Sequence, residues 1–485
     1  MIGRVVASST EEVHIRLDDN VDVESLAMGT LLVIDSNYKY LARVHSIGSR
    51  NLGEPQLADK VASAYGRDVY SDIEPALGNQ FYYVAKAKVA GIAGKRLRPA
   101  KTIPTFFSPA RVAERRDLPF MGAFGAGGIE IGILREIGIP VTLSSEMLIT
   151  RHCGVFGKTG SGKSNTVKVL VSRFLDAGAP CLIFDVHGEY ARHDGLRNHG
   201  RVKVVGVSAD EDVTISIPLS EIRPIDLQLV SFLNETQSEA VSAIRAKMGR
   251  NWIEYILKAD RKAVENDFGG MIFEATVLAL KRKVERLKGQ GYIRSGTDSL
   301  RYILNALKKG RTIVVDLSPL EHSDYAIRLI TTVISRYLLE TYKKMGTESV
   351  AHKETLIVLE EAHKLLSKDK ARLTIFESIV REGRKFGLGL MVVDQAPRKI
   401  HEEVISQLNT VIIMLLSNVK DREHIALASE SNLSEFREEM ARLDVGEAIV
   451  SGLAVPMPLS CSVPVFSPPP AQARVTGNEE FSFNE

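Results

Sequence analysis

The chain has 485 residues, 62 of them Lys or Arg and 60 Asp or Glu, for a formal net charge of +2; 44% are hydrophobic and 25% charged. At roughly 100–200 residues per domain that length predicts two to four domains, and the composition excludes a wholly disordered or fibrous chain. No apolar run approaches the roughly 18 residues that span a bilayer, and Cys153, Cys181 and Cys461 offer neither a disulfide framework nor metal-ligand spacing.

The N-terminus, Met1-Ile2-Gly3-Arg4 leading to Glu11-Glu12, lacks the apolar core of a secretory signal, so a cytoplasmic setting is expected. Residues 1–140 read as a small β-barrel with a connecting segment. Val13, Ile15 and Leu17 alternate with polar neighbours, as do Ala85, Ala87 and Val89 with Lys86 and Lys88. Asp35-Ser36-Asn37 separates two apolar runs and predicts a hairpin turn. Residues 91–128, rich in Gly, Pro and Arg, read as an irregular connection.

Residues 141–466 alternate strand and helix signals, which predicts an α/β core with a parallel sheet. Candidate buried strands are 153–156, 181–185, 312–317, 355–359, 388–393 and 411–416. A helical insertion is expected over about 220–308, where amphipathic Lys/Glu-rich runs replace strand signals. Ile327, Ile330, Ile334 and Leu338 repeat at helical spacing and Gly346 supplies a stop. Ser467-Pro468-Pro469-Pro470 opens a tail, 467–485, that cannot continue a helix or a central strand.

Gly157-Lys158-Thr159-Gly160-Ser161-Gly162-Lys163-Ser164 fits G-x-x-x-x-G-K-[ST], lies between an apolar strand and a predicted helix, and is followed by Asn165. The glycines let successive N–H groups turn toward phosphate oxygens, and the helix N-terminus adds its dipole. Lys163 is the candidate for the β- and γ-phosphates, Ser164 for Mg²⁺. Hydrolysis further needs a metal-associated acid, a group that orients water and a cation near the γ-phosphate. Glu360 is the candidate for Mg²⁺ through water and Glu361 for the attacking water; alternation along the strand Leu356-Ile357-Val358-Leu359 would separate their roles. Asp185, in Asp185-Val186-His187-Gly188-Glu189-Tyr190, stands just past a buried strand, where open α/β sheets bind ligands. Gln395 ends another strand as a γ-phosphate sensor, and Arg381 and Arg384 are candidate cations for a neighbouring subunit's site.

Together these motifs resemble the HerA family of hexameric DNA translocases, in the HerA/FtsK branch of RecA-like P-loop ATPases. The matching stretches are 151–164, 185–190, Glu360-Glu361-Ala362-His363, Glu382-Gly383-Arg384-Lys385-Phe386-Gly387 and Gln395. The resemblance implies a RecA-like α/β core behind an N-terminal barrel, ATP with Mg²⁺ as cofactors, and a homo-hexamer that moves double-stranded DNA through its pore. It implies that Arg151 lies in cis beside the γ-phosphate and that Arg384, with Arg381 as the alternative, is the finger reaching across the subunit boundary. Glu360 departs from the usual Asp, and Val186 stands where Pro is common. Loops facing the channel would carry Lys368, Lys370 and Arg372 after the acidic strand, and Arg398 and Lys399 after the Gln-bearing one. Sixfold repetition of those cations would reconcile near-neutral charge with a phosphate-gripping ring. A NurA-like nuclease docked on the barrel collar is the implied partner in DNA-end resection. The same motor with an antiphage effector, an ATP-dependent scaffold and a conjugation-type ATPase are the alternatives.

Overall fold

In the computed structural model, the period-2 residues Val13, Ile15 and Leu17 all face one apolar core, with Leu32, Ile34 and Tyr40. The residues described are 1–51, 81–122, 127–135, 137–208, 211–231, 233–287, 290–294, 298–346, 353–367, 374–428 and 433–470. They fall into two units: Met1–Ser145, Gly157–Gly162 and Asn409–Pro464 in the first, Glu146–Phe156, Lys163–Leu408 and Val465–Glu485 in the second.

In the first unit, β1 (Gly3–Ser8), β2 (Glu12–Leu17), β3 (Leu31–Asp35), β4 (Lys39–Asn51), β5 (Phe81–Ile92) and β6 (Pro109–Val112) close a barrel in the order β1-β2-β5-β4-β3-β6. Ala42, Ala85, Ala87 and Ala110 face its core, small residues that suit the narrow interior of so few strands. The segment 91–128 is not wholly irregular, because β6 pairs with both β1 and β3 and completes the barrel. Four residues are too short for an alternating pattern to register. Beyond the barrel, β7 (Gly128–Leu134) and β8 (Ile139–Ser144) pair with each other.

In the second unit, β9 (Cys153–Phe156), β10 (Cys181–Asp185), β11 (Val202–Gly206), β12 (Val213–Thr214), β13 (Thr312–Asp316), β14 (Thr355–Leu359) and β15 (Leu388–Asp394) run parallel in the order β12-β11-β13-β10-β14-β15-β9. Every residue of β9, β10, β13, β14 and β15 is buried, the signature of a sheet covered on both faces. Gly389 is required by close approach: a Cβ there would lie 1.7 Å from the Ile149 carbonyl oxygen. The insertion is helical, running through Pro224–Ser231, Glu235–Met248, Trp252–Lys258, Arg261–Phe268, Glu274–Glu285 and Ser299–Lys308. It is tied to the long helix Asp324–Met345 by a buried ion pair, Arg336 Nε to Asp226 Oδ1 at 2.7 Å. That helix stops at Gly346, whose φ of +74° few side chains tolerate.

The first unit also holds β16 (Thr410–Ile413), β17 (Glu447–Gly452) and β18 (Leu459–Ser462), in the order β16-β17-β18-β7-β8. β16, expected as a buried strand within 411–416, is buried along its whole length, and it pairs antiparallel with β17. Arg43 anchors the barrel to this layer, donating from Nη2 to Glu439 Oε1 at 2.5 Å and Ser460 Oγ at 2.6 Å. Its guanidinium lies 4.4 Å from the centre of the Phe436 ring. Among the described residues no helix is long and apolar enough to cross a membrane.

Candidate nucleotide site

Parallel strands bring the ends that carry the sequence motifs to one edge of the sheet. β9 ends at Phe156 and leads into the glycine-rich loop, where Gly160 and Gly162 take φ of +77° and +104°. The helix Lys163–Asp176 starts on the next residue, so Lys163, Ser164 and Asn165 occupy its first turn, where N–H groups lack intrahelical acceptors. Burial pushes the Lys163 ammonium below its ordinary value, opposed by Glu361, Asp394, Glu360 and Glu189.

β14 ends at Leu359, and the two following glutamates lead different lives. Glu360 is 5% exposed, and its Oε2 is buried without a hydrogen-bond partner. Burial, reinforced by Asp185, Glu189 and Glu361, holds its carboxyl well above the ordinary range. Glu361 sits at φ +47°, ψ +47°, a left-handed conformation uncommon for a non-glycine residue and concentrated at functional sites. This turn beyond the strand, rather than strand alternation, separates the two carboxylates. Gln395 Nε2 donates to Glu361 Oε2 at 3.2 Å, His363 Nδ1 lies 3.5 Å from Glu361 Oε2, and His187 Nε2 lies 4.0 Å from Glu361 Oε1. Sequence reasoning gave no role to His363 or Asp394. Asp394 accepts from the His363 backbone N–H at 2.7 Å and pairs with its Nδ1 at 2.9 Å, which raises the imidazole's affinity for its proton.

Asp185 is fully buried and receives three backbone N–H bonds, from Glu189 at 3.0 Å and from Tyr190 and Ala191 at 2.9 Å. Its carboxylate therefore shapes the loop that carries His187 and Glu189. Tyr190, also fully buried, lies beside Ser164.

The opposite edge of the sheet holds the arginines. His152 precedes β9; its Nδ1 accepts the Leu390 N–H at 3.0 Å and its Nε2 lies 3.0 Å from the Val380 carbonyl oxygen. Burial lowers its pKa from 6.5 to about 4. The unfolded chain then binds more protons between those two values, so stability falls as pH drops from 6.5 toward 4, by a loss approaching about 3 kcal/mol. Thermal midpoints taken from pH 7 to pH 4.5 are expected to fall more steeply in the native chain than in His152→Gln; parallel curves would refute this. Arg384 is exposed and makes no ion pair among the described residues, whereas Arg381 Nη2 is held by Glu403 Oε1 at 2.6 Å.

Arg151 requires a correction. It precedes β9, whose four residues span about 13 Å, and the glycine-rich loop leaves the other end. An arginine side chain cannot cover that strand and reach the phosphates of its own loop, so the cis position implied by the family resemblance fails. Lys368, Lys370 and Arg372 lie outside the described residues. Arg398 and Lys399 are exposed in the turn Pro397–Lys399 after β15.

Residues 129–338 match the family model described as "Helicase HerA, central domain". The DNA double-strand break repair helicase HerA of Sulfurisphaera tokodaii is 30% identical over 82% of this chain and 83% of its own. The chain belongs to the HerA helicase family. The HerA of Saccharolobus solfataricus, also a DNA double-strand break repair helicase, is 29% identical over 96% of this chain and 92% of its own. Among solved structures, the bacterial conjugative coupling protein TrwB in its unbound monoclinic form shares the fold, with a TM-score of 0.55 and 15% identity over 75% of this chain and 94% of that one. HerA membership bears out the resemblance drawn from the glycine-rich loop, the paired glutamates and the EGRKFG stretch.

Proposed function

We propose that this chain is the ATP-hydrolysing subunit of a cytoplasmic ring, a homo-hexamer, that translocates on or unwinds double-stranded DNA during break repair and feeds a nuclease docked on its barrel collar. The observation that carries the reading is the convergence at one sheet edge of Lys163, Ser164, a buried Glu360 oxygen without a partner, and Glu361 held by Gln395. The relatives' names, as double-strand break repair helicases, supply the DNA and the repair context.

The residues fit ATP with Mg²⁺. An orphaned carboxylate oxygen among Asp185, Glu189 and Glu361 calls for a cation. Such an ion takes most of its ligands from phosphate and water. Ser164 and, through water, Glu360 would hold Mg²⁺, which when bound neutralises charge on the triphosphate. Lys163 and the loop N–H groups bind the phosphates, and Glu361 orients and accepts a proton from the attacking water. Gln395, bonded to Glu361, relays the state of the γ-phosphate toward the turn that carries Arg398 and Lys399. Arg384 and Arg151, at the far edge of the sheet, serve a neighbouring subunit's phosphates. Lys368, Lys370, Arg372, Arg398 and Lys399 grip the DNA backbone in the channel without reading sequence.

Steady-state phosphate release with and without linear duplex DNA tests the motor. DNA is expected to stimulate turnover several-fold, with the stimulation falling as salt rises because phosphate contacts release counterions. A rate indifferent to DNA, with or without a nuclease partner, would remove the translocase reading.

A further inference from the structure

The groups assigned so far handle phosphate, metal or water, and none receives the nucleobase. In glycine-rich phosphate loops the lysine reaches the β- and γ-phosphates while the loop and first helical turn cradle the α-phosphate. The nucleoside therefore leaves on the side away from the γ-phosphate, past the residues that follow Ser164. Asn165 stands there, and its Oδ1 accepts the backbone N–H of Phe466 at 2.7 Å.

Phe466 belongs to a segment that follows β18 and has no regular secondary structure. Pro464, Pro468, Pro469 and Pro470 stiffen it by fixing φ. Upstream, the Val463 N–H donates to the Gly446 carbonyl at 2.8 Å, and the Gly446 N–H donates to the Ser161 carbonyl at 3.1 Å, so the chain is fastened to the glycine-rich loop before it reaches Phe466. Val465 is 89% exposed and Phe466 half-buried. An aromatic ring carried on a proline-stiffened strap, tethered two residues beyond the phosphate-binding lysine, has the chemistry that a flat base needs.

We propose that residues 464–470 form a strap along the base side of the nucleotide site and that Phe466 stacks on the purine of ATP, so that base recognition resides in the C-terminal segment. This rests on the reading of Lys163 and Ser164 as a triphosphate site. The strap adds what a phosphate cradle lacks, a preference for a purine nucleoside triphosphate over inorganic phosphate chains and over the smaller pyrimidine bases.

Calorimetric titration of the full chain with ATP, UTP and inorganic tripolyphosphate, each with Mg²⁺, tests it. Phe466→Ala and Phe466→Leu, the latter keeping apolar bulk, are expected to weaken ATP roughly 5- to 100-fold, the range that base–aromatic stacking supports. Both should leave tripolyphosphate within twofold and abolish the preference for ATP over UTP, while Phe466→Trp keeps native affinity. ATP binding unchanged in both Ala and Leu variants overturns the strap, as does equal weakening of ATP and tripolyphosphate, which would mark a disturbed phosphate loop. A native chain that binds neither ATP nor tripolyphosphate overturns the nucleotide site itself.

Discussion

Glu361→Gln is expected to lower ATP turnover by about 10²–10⁴-fold, the usual contribution of a positioned general base, while Mg²⁺–ATP affinity stays within a few-fold of native. The substitution keeps shape, and an amide oxygen can still accept from Gln395 Nε2. What it removes is the negative charge and the proton acceptor. Glu360 cannot stand in: its carboxyl is 5% exposed and held toward the protonated form by burial and three neighbouring acids. Glu361 is the less buried of the two, with Gln395, His363 and His187 around it. Phosphate release under saturating ATP, read beside equilibrium ATP binding, separates chemistry from binding. Turnover within tenfold of native would remove Glu361 from the base position. A ring that still assembles and activates a nuclease partner with Glu361→Gln at the native level would instead favour ATP as an assembly ligand over ATP as fuel.

The parallel core was legible because its strands are short apolar runs ending in chemistry-bearing residues. Cys181–Asp185 and Thr355–Leu359 have the bounds their composition predicts. β6 was not legible, since Pro109–Val112 is a strand only by virtue of the neighbours that flank it. Nor were β17 and β18 read, because nothing local in 447–462 says which sheet edge receives them. At the site, residue types were readable and conformations were not. No pattern announces that Glu361 is left-handed, a geometry held by its surroundings against local preference. The cis position that the resemblance implied for Arg151 takes no account of the strand that runs between it and the glycine-rich loop. Phe466, about three hundred residues from Asn165, carries no motif at all.

Arg384→Ala is expected to reduce ATP turnover by about 10³–10⁵-fold, the worth of a cation supplied to phosphoryl transfer from a neighbouring subunit, with ATP binding little changed. The chain's own topology excludes a cis role. Arg384 precedes β15 and Gln395 follows it, so seven residues of parallel strand, about 23 Å, separate the arginine from the edge that holds Lys163 and Glu361. Its freedom also distinguishes it from Arg381, which Glu403 engages; Arg381→Ala is expected to cost much less. Mixing subunits decides between a finger in trans and a structural arginine. Lys163→Ala subunits retain Arg384 but cannot turn over, and Arg384→Ala subunits retain the phosphate site but lack the finger. In a head-to-tail ring assembled from equal amounts, roughly a quarter of the interfaces pair an intact phosphate site with an intact finger. Activity should therefore reappear on mixing two inactive proteins. If subunits exchange and no activity returns, Arg384 is not a trans-acting finger, and its loss acts on the fold around His152 and β15 instead.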